Sequence, residues 1–154
     1  MKLSLLAVGI EKAGPEQDLI SDYVRRFSKL SRPLGLSGLD IMTVKSGGGL
    51  DREGTRLLAK CPQAGLTLRL DEAGPALPSV KFAERIALWR DQGTRSLTFI
   101  IGGAGGYSDA VRADIPQTLA FGPQTWPHML VRAMLCEQIY RAASILAGTP
   151  YHKA

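Results

Sequence analysis

The chain has 154 residues, of which 45% are hydrophobic, and its formal net charge is +5 at pH 7. These values are typical of one folded domain and exclude a disordered chain. With no apolar run long enough to span a bilayer and no signal-peptide pattern, we expect a cytoplasmic protein without membrane contact. Cys61 and Cys136 lie far apart without metal-ligand spacing, so we expect neither a disulfide nor a metal site.

The first half of the chain alternates strand and helix patterns. A continuous apolar run predicts a buried strand over residues 3–8. Hydrophobic residues at helical spacing predict a helix over residues 15–30. A weaker strand pattern at 36–44, a flexible glycine-rich loop at 45–49 and a helical pattern at 51–60 follow. The alternation favours parallel strands joined by helices.

The second half of the chain continues this alternation. The predicted elements are strands over residues 66–70, 97–101 and 119–121, a helix from a Ser79 cap to Gly93, a short helix between a Ser108 cap and Pro116, and a long helix over residues 129–147 that Gly148 closes. We therefore predict a single α/β domain over residues 1–154, with a mostly parallel sheet covered by helices on both faces.

Three loops follow strands of this predicted sheet and should meet at one edge of it, at residues 70–74, 102–107 and 121–128. Their glycines allow a ligand to approach the backbone closely. The glycines of the second loop match neither the Walker motif nor the dinucleotide fingerprint. Taken alone, the first loop is an ordinary turn. A tryptophan such as Trp126 is more often a core or interface aromatic than a platform on which a ligand stacks. The three together predict a small-molecule site.

Several of these motifs also resemble one known family. They are Phe-Ile-Ile-Gly-Gly at 99–103, Leu-x-Phe-Gly-x-x-Thr-Trp-Pro-His-x-Leu-Val-Arg at 119–132, and Pro-Tyr-His at 150–152. In this combination, and over essentially its whole length, the chain resembles the RlmH (YbeA-like) methyltransferases of the SPOUT superfamily.

The resemblance implies an activity, a fold and partners. Members use S-adenosyl-L-methionine to methylate N3 of a pseudouridine, conventionally position 1915, in 23S ribosomal RNA of the large subunit within the ribosome. They are homodimers with a C-terminal trefoil knot. The resemblance therefore implies a knot here too, which the general rule that chains do not thread loops would argue against. The net positive charge fits an RNA partner but is common among unrelated proteins.

The family's cofactor contacts fall on eight positions of this sequence. They are Leu70, Gly102, Phe121, Gly122, Pro123, Gln124, Thr125 and Trp126. We expect a side chain at position 102 to occupy the space that the cofactor needs. The chain departs from the family pattern after the paired glycines, where Ala104-Gly105-Gly106 stands in place of Pro-Glu-Gly.

The sequence does not identify the group that removes the N3 proton. His128 and Arg132 are weak catalytic candidates. His128 could instead cap the last helix, and Arg132 could instead hold an RNA phosphate or the cofactor carboxylate. We expect Tyr151 and His152, with Lys153, to form a free tail that binds the substrate RNA, either in its own subunit or across a dimer.

The predicted last helix is apolar nearly all round, which indicates burial against more than its own sheet and fits a dimer interface. Glu137 and Arg141 lie one turn apart and are expected to form a structural ion pair. Two other functions stay open. One is a knotted methyltransferase acting on a different ribosomal or transfer RNA nucleotide, and the other is a non-catalytic RNA-binding or nucleotide-binding module.

Overall fold

The computed structural model describes residues 1–10 and 12–152. The strands are β1 (Lys2–Val8), β2 (Leu39–Val44), β3 (Leu66–Leu70), β4 (Ser96–Ile101) and β5 (Thr118–Leu119). The helices are α1 (Pro15–Ser31), α2 (Leu50–Lys60), α3 (Ser79–Asp91), α4 (Asp109–Asp114) and α5 (His128–Leu146), and a 3-10 turn covers Arg32–Leu34.

The five strands form one sheet in the order β2-β1-β4-β3-β5, and every neighbouring pair is parallel. Because all strands point the same way, their carboxyl ends lie along one edge of the sheet. The predicted parallel α/β fold is therefore confirmed, and the loops after β3, β4 and β5 leave the sheet side by side.

Alternate residues of the strands enter two separate cores, one on each face of the sheet. On one face, Leu3 and Leu5 of β1 pack with residues of α1, α3 and α5. On the other face, Leu6 and Val8 pack with residues of α2 and α4. Period-two alternation in a strand covered on both faces explains why β1 has almost no polar positions.

The structure corrects one detail of the predicted elements. Ser79 does not cap α3, since Pro78 is the N-cap residue without a side-chain cap bond. The Ser79 hydroxyl instead lies 2.8 Å from Gln138 Oε1 of α5. In the loop at 45–49, whose flexibility stays a prediction, the Gly47 N–H donates a 2.7 Å hydrogen bond to Glu53 of α2.

Helix α5 is covered largely within its own chain. It packs on the sheet and between α1 and α3, and it buries residues such as Ala133, Leu135 and Ile139. The apolar character of α5 therefore has an explanation inside one subunit, and it does not by itself require a dimer.

The Ser108 cap of α4 is confirmed, because the Ser108 hydroxyl accepts a 3.4 Å hydrogen bond from Val111 N–H.

Candidate functional site

The three loops after β3, β4 and β5 enclose one cavity of about 590 Å³. This volume lies within the range of roughly 300–1,000 Å³ that is usual for small-molecule sites. Of the eight predicted cofactor positions, seven line it, namely Leu70, Gly102, Phe121, Gly122, Gln124, Thr125 and Trp126. Pro123 does not line it and is exposed. The predicted meeting of the three loops is thus confirmed as geometry.

Gly102 is required by the loop itself. A Cβ atom at this position would lie 2.5 Å from the carbonyl oxygen of Gly106 and 3.3 Å from the ring of Tyr107. We expected a side chain at position 102 to take the ligand's space. The structure adds that such a side chain would first collide with the backbone of its own loop. A substitution here changes the wall of the cavity before it meets any ligand.

A buried ion pair lies beneath the loop after β3. Arg69 Nη1 lies 2.6 Å from Asp71 Oδ2, with 8% and 10% of the two side chains exposed. Arg112 of α4 reaches the same oxygen at 3.0 Å, and Arg69 Nε also donates to the Ile115 carbonyl at 2.6 Å. Burial alone would raise the pKa of Asp71. Hydrogen bonds from the Ala73 N–H and Arg69, with the charges of both arginines, lower it below its usual value.

Tyr107 ties the ends of two strands together under the cavity. Its hydroxyl lies 2.7 Å from the carbonyl oxygen of Ile100 and 3.0 Å from that of Leu70. Burial raises the pKa of Tyr107, so the phenol stays protonated and donates its proton to these carbonyls. The guanidinium carbons of Arg69 and Arg112 lie 5.4 and 5.9 Å from the centre of the ring. Tyr107 therefore fixes the spacing of β3 and β4 at the cavity floor.

The third loop supplies the remaining wall and ends at α5. Gly122 has a φ of +102°, a conformation that L side chains rarely adopt, so a glycine is needed there. Trp126 is 39% exposed at this wall. The N-cap of α5 is Pro127, without a side-chain cap bond, so His128 does not cap the helix. His128 is half-buried and lines the cavity.

Arg132 lies inside the protein. Its side chain is 1% exposed, and its Nη2 donates hydrogen bonds of 2.6 and 3.1 Å to the carbonyl oxygens of Val8 and Gly9. The idea that Arg132 holds an RNA phosphate is therefore wrong for this structure. It instead joins α5 to the carboxyl end of β1, which makes it a positioning residue for the start of α5.

The C-terminal tail is not free but packs on α5. Tyr151 donates a 3.0 Å hydrogen bond to Glu137 Oε1, and its ring lies under Arg141, whose guanidinium carbon is 4.9 Å from the ring centre. His152 Nδ1 is 3.4 Å from Arg141 Nη1. The expected Glu137–Arg141 ion pair is confirmed at 2.6 Å. Lys153 lies outside the described residues.

A second, apolar cavity adjoins the first and is called here the α1–α5 groove. Its volume is about 580 Å³, and its walls come from α1, residues 76–79, the start of α3 and α5. Leu19 and Met134 line it, and Leu19 is 44% exposed. Phe121 lines both cavities. The groove is therefore an apolar surface directly beside the predicted cofactor site.

Sequence reasoning missed the residues that hold the cavity together. Asp71 had a usable signal, since it is a charged residue directly after a strand that ends at the ligand edge. Tyr107 and Arg112 had none, because their contacts across the cavity floor, with Leu70 and Asp71, span 37 and 41 residues of the chain. Within residues 1–10 and 12–152, no group of three or more His, Cys, Asp or Glu residues could hold a metal ion. In the same ranges, no helix is both long and apolar enough to cross a membrane.

Comparison with known proteins adds independent findings. Residues 1–152 match the model of the family described as "Predicted SPOUT methyltransferase". The chain is 59% identical to the ribosomal RNA large subunit methyltransferase H of Hyphomonas neptunium, with 100% of both chains covered. It is 48% identical to the protein of the same name from Dinoroseobacter shibae, over 99% of both chains.

Among solved structures, the chain is similar to a putative methyltransferase of Legionella pneumophila in complex with bound SAM. The TM-score is 0.49 and the sequence identity is 15%. The match covers 92% of this chain and 66% of that one.

Proposed function

The chain belongs to the SPOUT methyltransferase family, and we propose that it transfers the methyl group of S-adenosylmethionine to N3 of pseudouridine 1915 in 23S ribosomal RNA. The observation that carries this proposal is the single cavity formed by the three loops at the carboxyl ends of β3, β4 and β5. The full-length relatives named as ribosomal RNA large subunit methyltransferases support the substrate class. The nucleotide and the N3 position rest on the resemblance to the RlmH family.

The cavity fits the proposed cofactor in size and chemistry. Leu70, Leu119 and Phe121 provide apolar side chains against which an adenine ring can pack. The loops at 102–106 and 121–126 add backbone N–H and C=O groups for the edge of the base and for the ribose hydroxyls. The cofactor supplies a methyl group on a positively charged sulfur, which is already electrophilic, so the protein mainly has to align it with the acceptor nitrogen.

Several residues of the chain perform this alignment. Tyr107 holds the ends of β3 and β4, and the Arg69–Asp71 ion pair holds the turn that follows β3. Arg132 fixes the start of α5, and with it His128, at the cavity wall. The N3–H of a pseudouridine is weakly acidic, so an imidazole at this wall can accept its proton as methyl transfer proceeds. His128 is our candidate for that base.

The position of the tail supports a role for a second subunit. Arg141, which contacts His152, lies thirteen residues beyond His128 on α5, a distance of about 20 Å at 1.5 Å per residue. Tyr151 contacts Glu137, nine residues beyond His128, and neither Tyr151 nor His152 lines the cavity of its own chain. We propose that they bind the substrate RNA, and that the tail of a homodimer partner is the one that reaches the cavity.

The α1–α5 groove supports the homodimer. It is apolar, partly open to solvent and continuous with the cavity through Phe121, which is the character expected of a surface that a second chain covers. Since ribosomes are the proposed site of action, we also place the enzyme in the cytoplasm. The C-terminal trefoil knot stays a prediction of the family resemblance.

The proposed function is tested by methyl transfer to ribosomes. Purified protein is incubated with labelled S-adenosylmethionine and ribosomes that lack this methyl group, and the product is mapped by nuclease digestion and mass spectrometry. A single methyl group on N3 of pseudouridine 1915 is expected. Label at another nucleotide would support a different knotted RNA methyltransferase, and cofactor binding without any transfer would support a non-catalytic module.

A further inference from the structure

Arg112 is the one lysine or arginine among the described residues that line the cavity. It lies in α4, and 48% of its side chain is exposed. The other charged residues of the lining are Asp71 and Glu72, and Glu72 has no ion pair within the described ranges. The cavity therefore offers one positive group to an anionic part of a ligand.

The guanidinium of Arg112 is held in place while keeping donors available. Nη1 is bonded to Asp71 at 3.0 Å, and the group lies 5.9 Å from the centre of the Tyr107 ring. These two contacts fix its orientation, so little conformational entropy is lost when a ligand binds to it. A Cβ atom at Gly106 would be 3.8 Å from Nη2, which places that nitrogen beside the loop at 102–107.

The charge of Arg112 is not neutralised by its partner. Asp71 is bonded more closely by Arg69, at 2.6 Å, and that arginine is buried. Two guanidinium groups therefore share one carboxylate, and the cluster keeps a net positive charge that only the exposed member can present to a ligand. A fixed cation at the wall of a concave site attracts and orients an anion.

We propose that Arg112 binds the carboxylate of the amino-acid part of S-adenosylmethionine. This rests on the proposed function, because it takes the cavity to be the cofactor site. The cofactor carries a single carboxylate, while its adenine and ribose are neutral and its sulfur and amino group are positive. Arg112 is bonded to Asp71, which directly follows Leu70 in the cavity wall. A carboxylate bound to Arg112 is therefore held within reach of the loops that contact the rest of the cofactor.

The test uses two ligands that share the adenosine and the sulfur and differ in the amino-acid part, which holds the carboxylate and the amino group. S-adenosylhomocysteine carries the amino-acid carboxylate, and 5′-methylthioadenosine lacks the amino-acid part. Their dissociation constants are measured by calorimetry for wild type, Arg112→Gln and Arg112→Lys. Arg112→Gln should weaken S-adenosylhomocysteine binding at least about tenfold and leave 5′-methylthioadenosine within twofold, with Arg112→Lys in between. Arg85→Gln, an exposed arginine of α3 outside the cavity, is the matched control and should change neither.

Other outcomes overturn the proposal. Equal losses for both ligands would make Arg112 a support of the cavity wall. Unchanged affinity for both ligands together with reduced methylation of ribosomes would make it an RNA phosphate contact. If the wild type binds neither ligand, the proposed function itself fails. If the wild type binds both ligands and Arg112→Gln binds them equally well, only the role of Arg112 in cofactor binding fails.

Discussion

Asp71→Asn removes the charge of the buried carboxylate while keeping its shape, so it tests the Arg69–Asp71 ion pair directly. Both side chains are at least nine-tenths buried, and the two atoms that pair are 2.6 Å apart. Removing one partner of a buried pair usually costs roughly 3–5 kcal/mol, because the other charge is left in a medium of low polarity. An asparagine oxygen can still accept a hydrogen bond, so we expect about 2–3 kcal/mol of lost unfolding free energy.

The loss is measured by urea and thermal unfolding. For a chain of this length, it corresponds to a melting temperature lower by about 6–10 °C. The pH dependence has a definite sign. Because the folded pKa of Asp71 lies below its usual value of 3.8, the ion pair is fully present above that value and is lost as the pH falls through the lower folded pKa. The difference between wild type and variant should be constant from pH 5 to 8 and should shrink below about pH 4.

Two further variants complete this test. Arg69→Met removes the other buried charge with similar volume. The double variant with Asp71→Asn should lose less than the sum of the two single losses, since no unpaired buried charge remains. Arg112→Gln, which removes only the half-exposed partner, should cost less than about 1 kcal/mol. If Asp71→Asn is as stable as wild type at pH 7, the ion pair does not stabilise the fold.

Four other predictions concern the cavity, the groove, the core and the tail. Gly102→Ala should greatly weaken S-adenosylhomocysteine binding in calorimetry. Gly105→Ala, whose Cβ meets only the end of a leucine side chain, should have a smaller effect. Equal affinities of the two variants would contradict the close approach of the ligand to the backbone at Gly102. Met134→Glu, in the α1–α5 groove, should give folded monomers by light scattering, and a wild type that is itself monomeric at micromolar concentration would refute the dimer. Ile139→Glu should unfold the chain, because this side chain is 1% exposed and belongs to the subunit's own core. Deleting residues 151–154 should leave cofactor affinity within about twofold while ribosome methylation falls steeply; a wild-type rate would remove Tyr151 and His152 from the substrate site.

Much of the fold could be predicted because strongly patterned segments leave few alternatives. The continuous apolar run of β1 allows only a strand covered on both faces, and the two cores confirm that both faces are covered. The three glycine-rich and proline-rich loops follow parallel strands, and parallel strands end at one edge. The general position of the candidate site therefore followed from local sequence alone.

Long-range polar contacts could not be predicted in the same way. The neighbouring residues in the sequence do not distinguish a buried arginine from an exposed one. Nothing in the sequence therefore indicated that Arg132 donates a hydrogen bond to the carbonyl of Val8, 124 residues earlier. The tail was expected to be free because Gly148 and Pro150 end the helix, yet the chain turns back and Tyr151 reaches Glu137. A good N-cap residue such as Ser79 was expected to cap its own helix, but its hydroxyl bonds to a neighbouring helix instead.

The strand order has a consequence for how the chain folds as it is synthesised. β1, the first strand to be made, lies inside the sheet between β2 and β4, and its Lys2 pairs with Ser96 of β4. β2 can pair with one edge of β1 early, but the other edge has no partner until β4 has been added. Contacts so distant in sequence slow folding, because loop closure costs entropy before the contacts stabilise anything. An apolar strand edge is thus open for most of synthesis, and chaperones that cover such edges should raise the yield of this chain in cells.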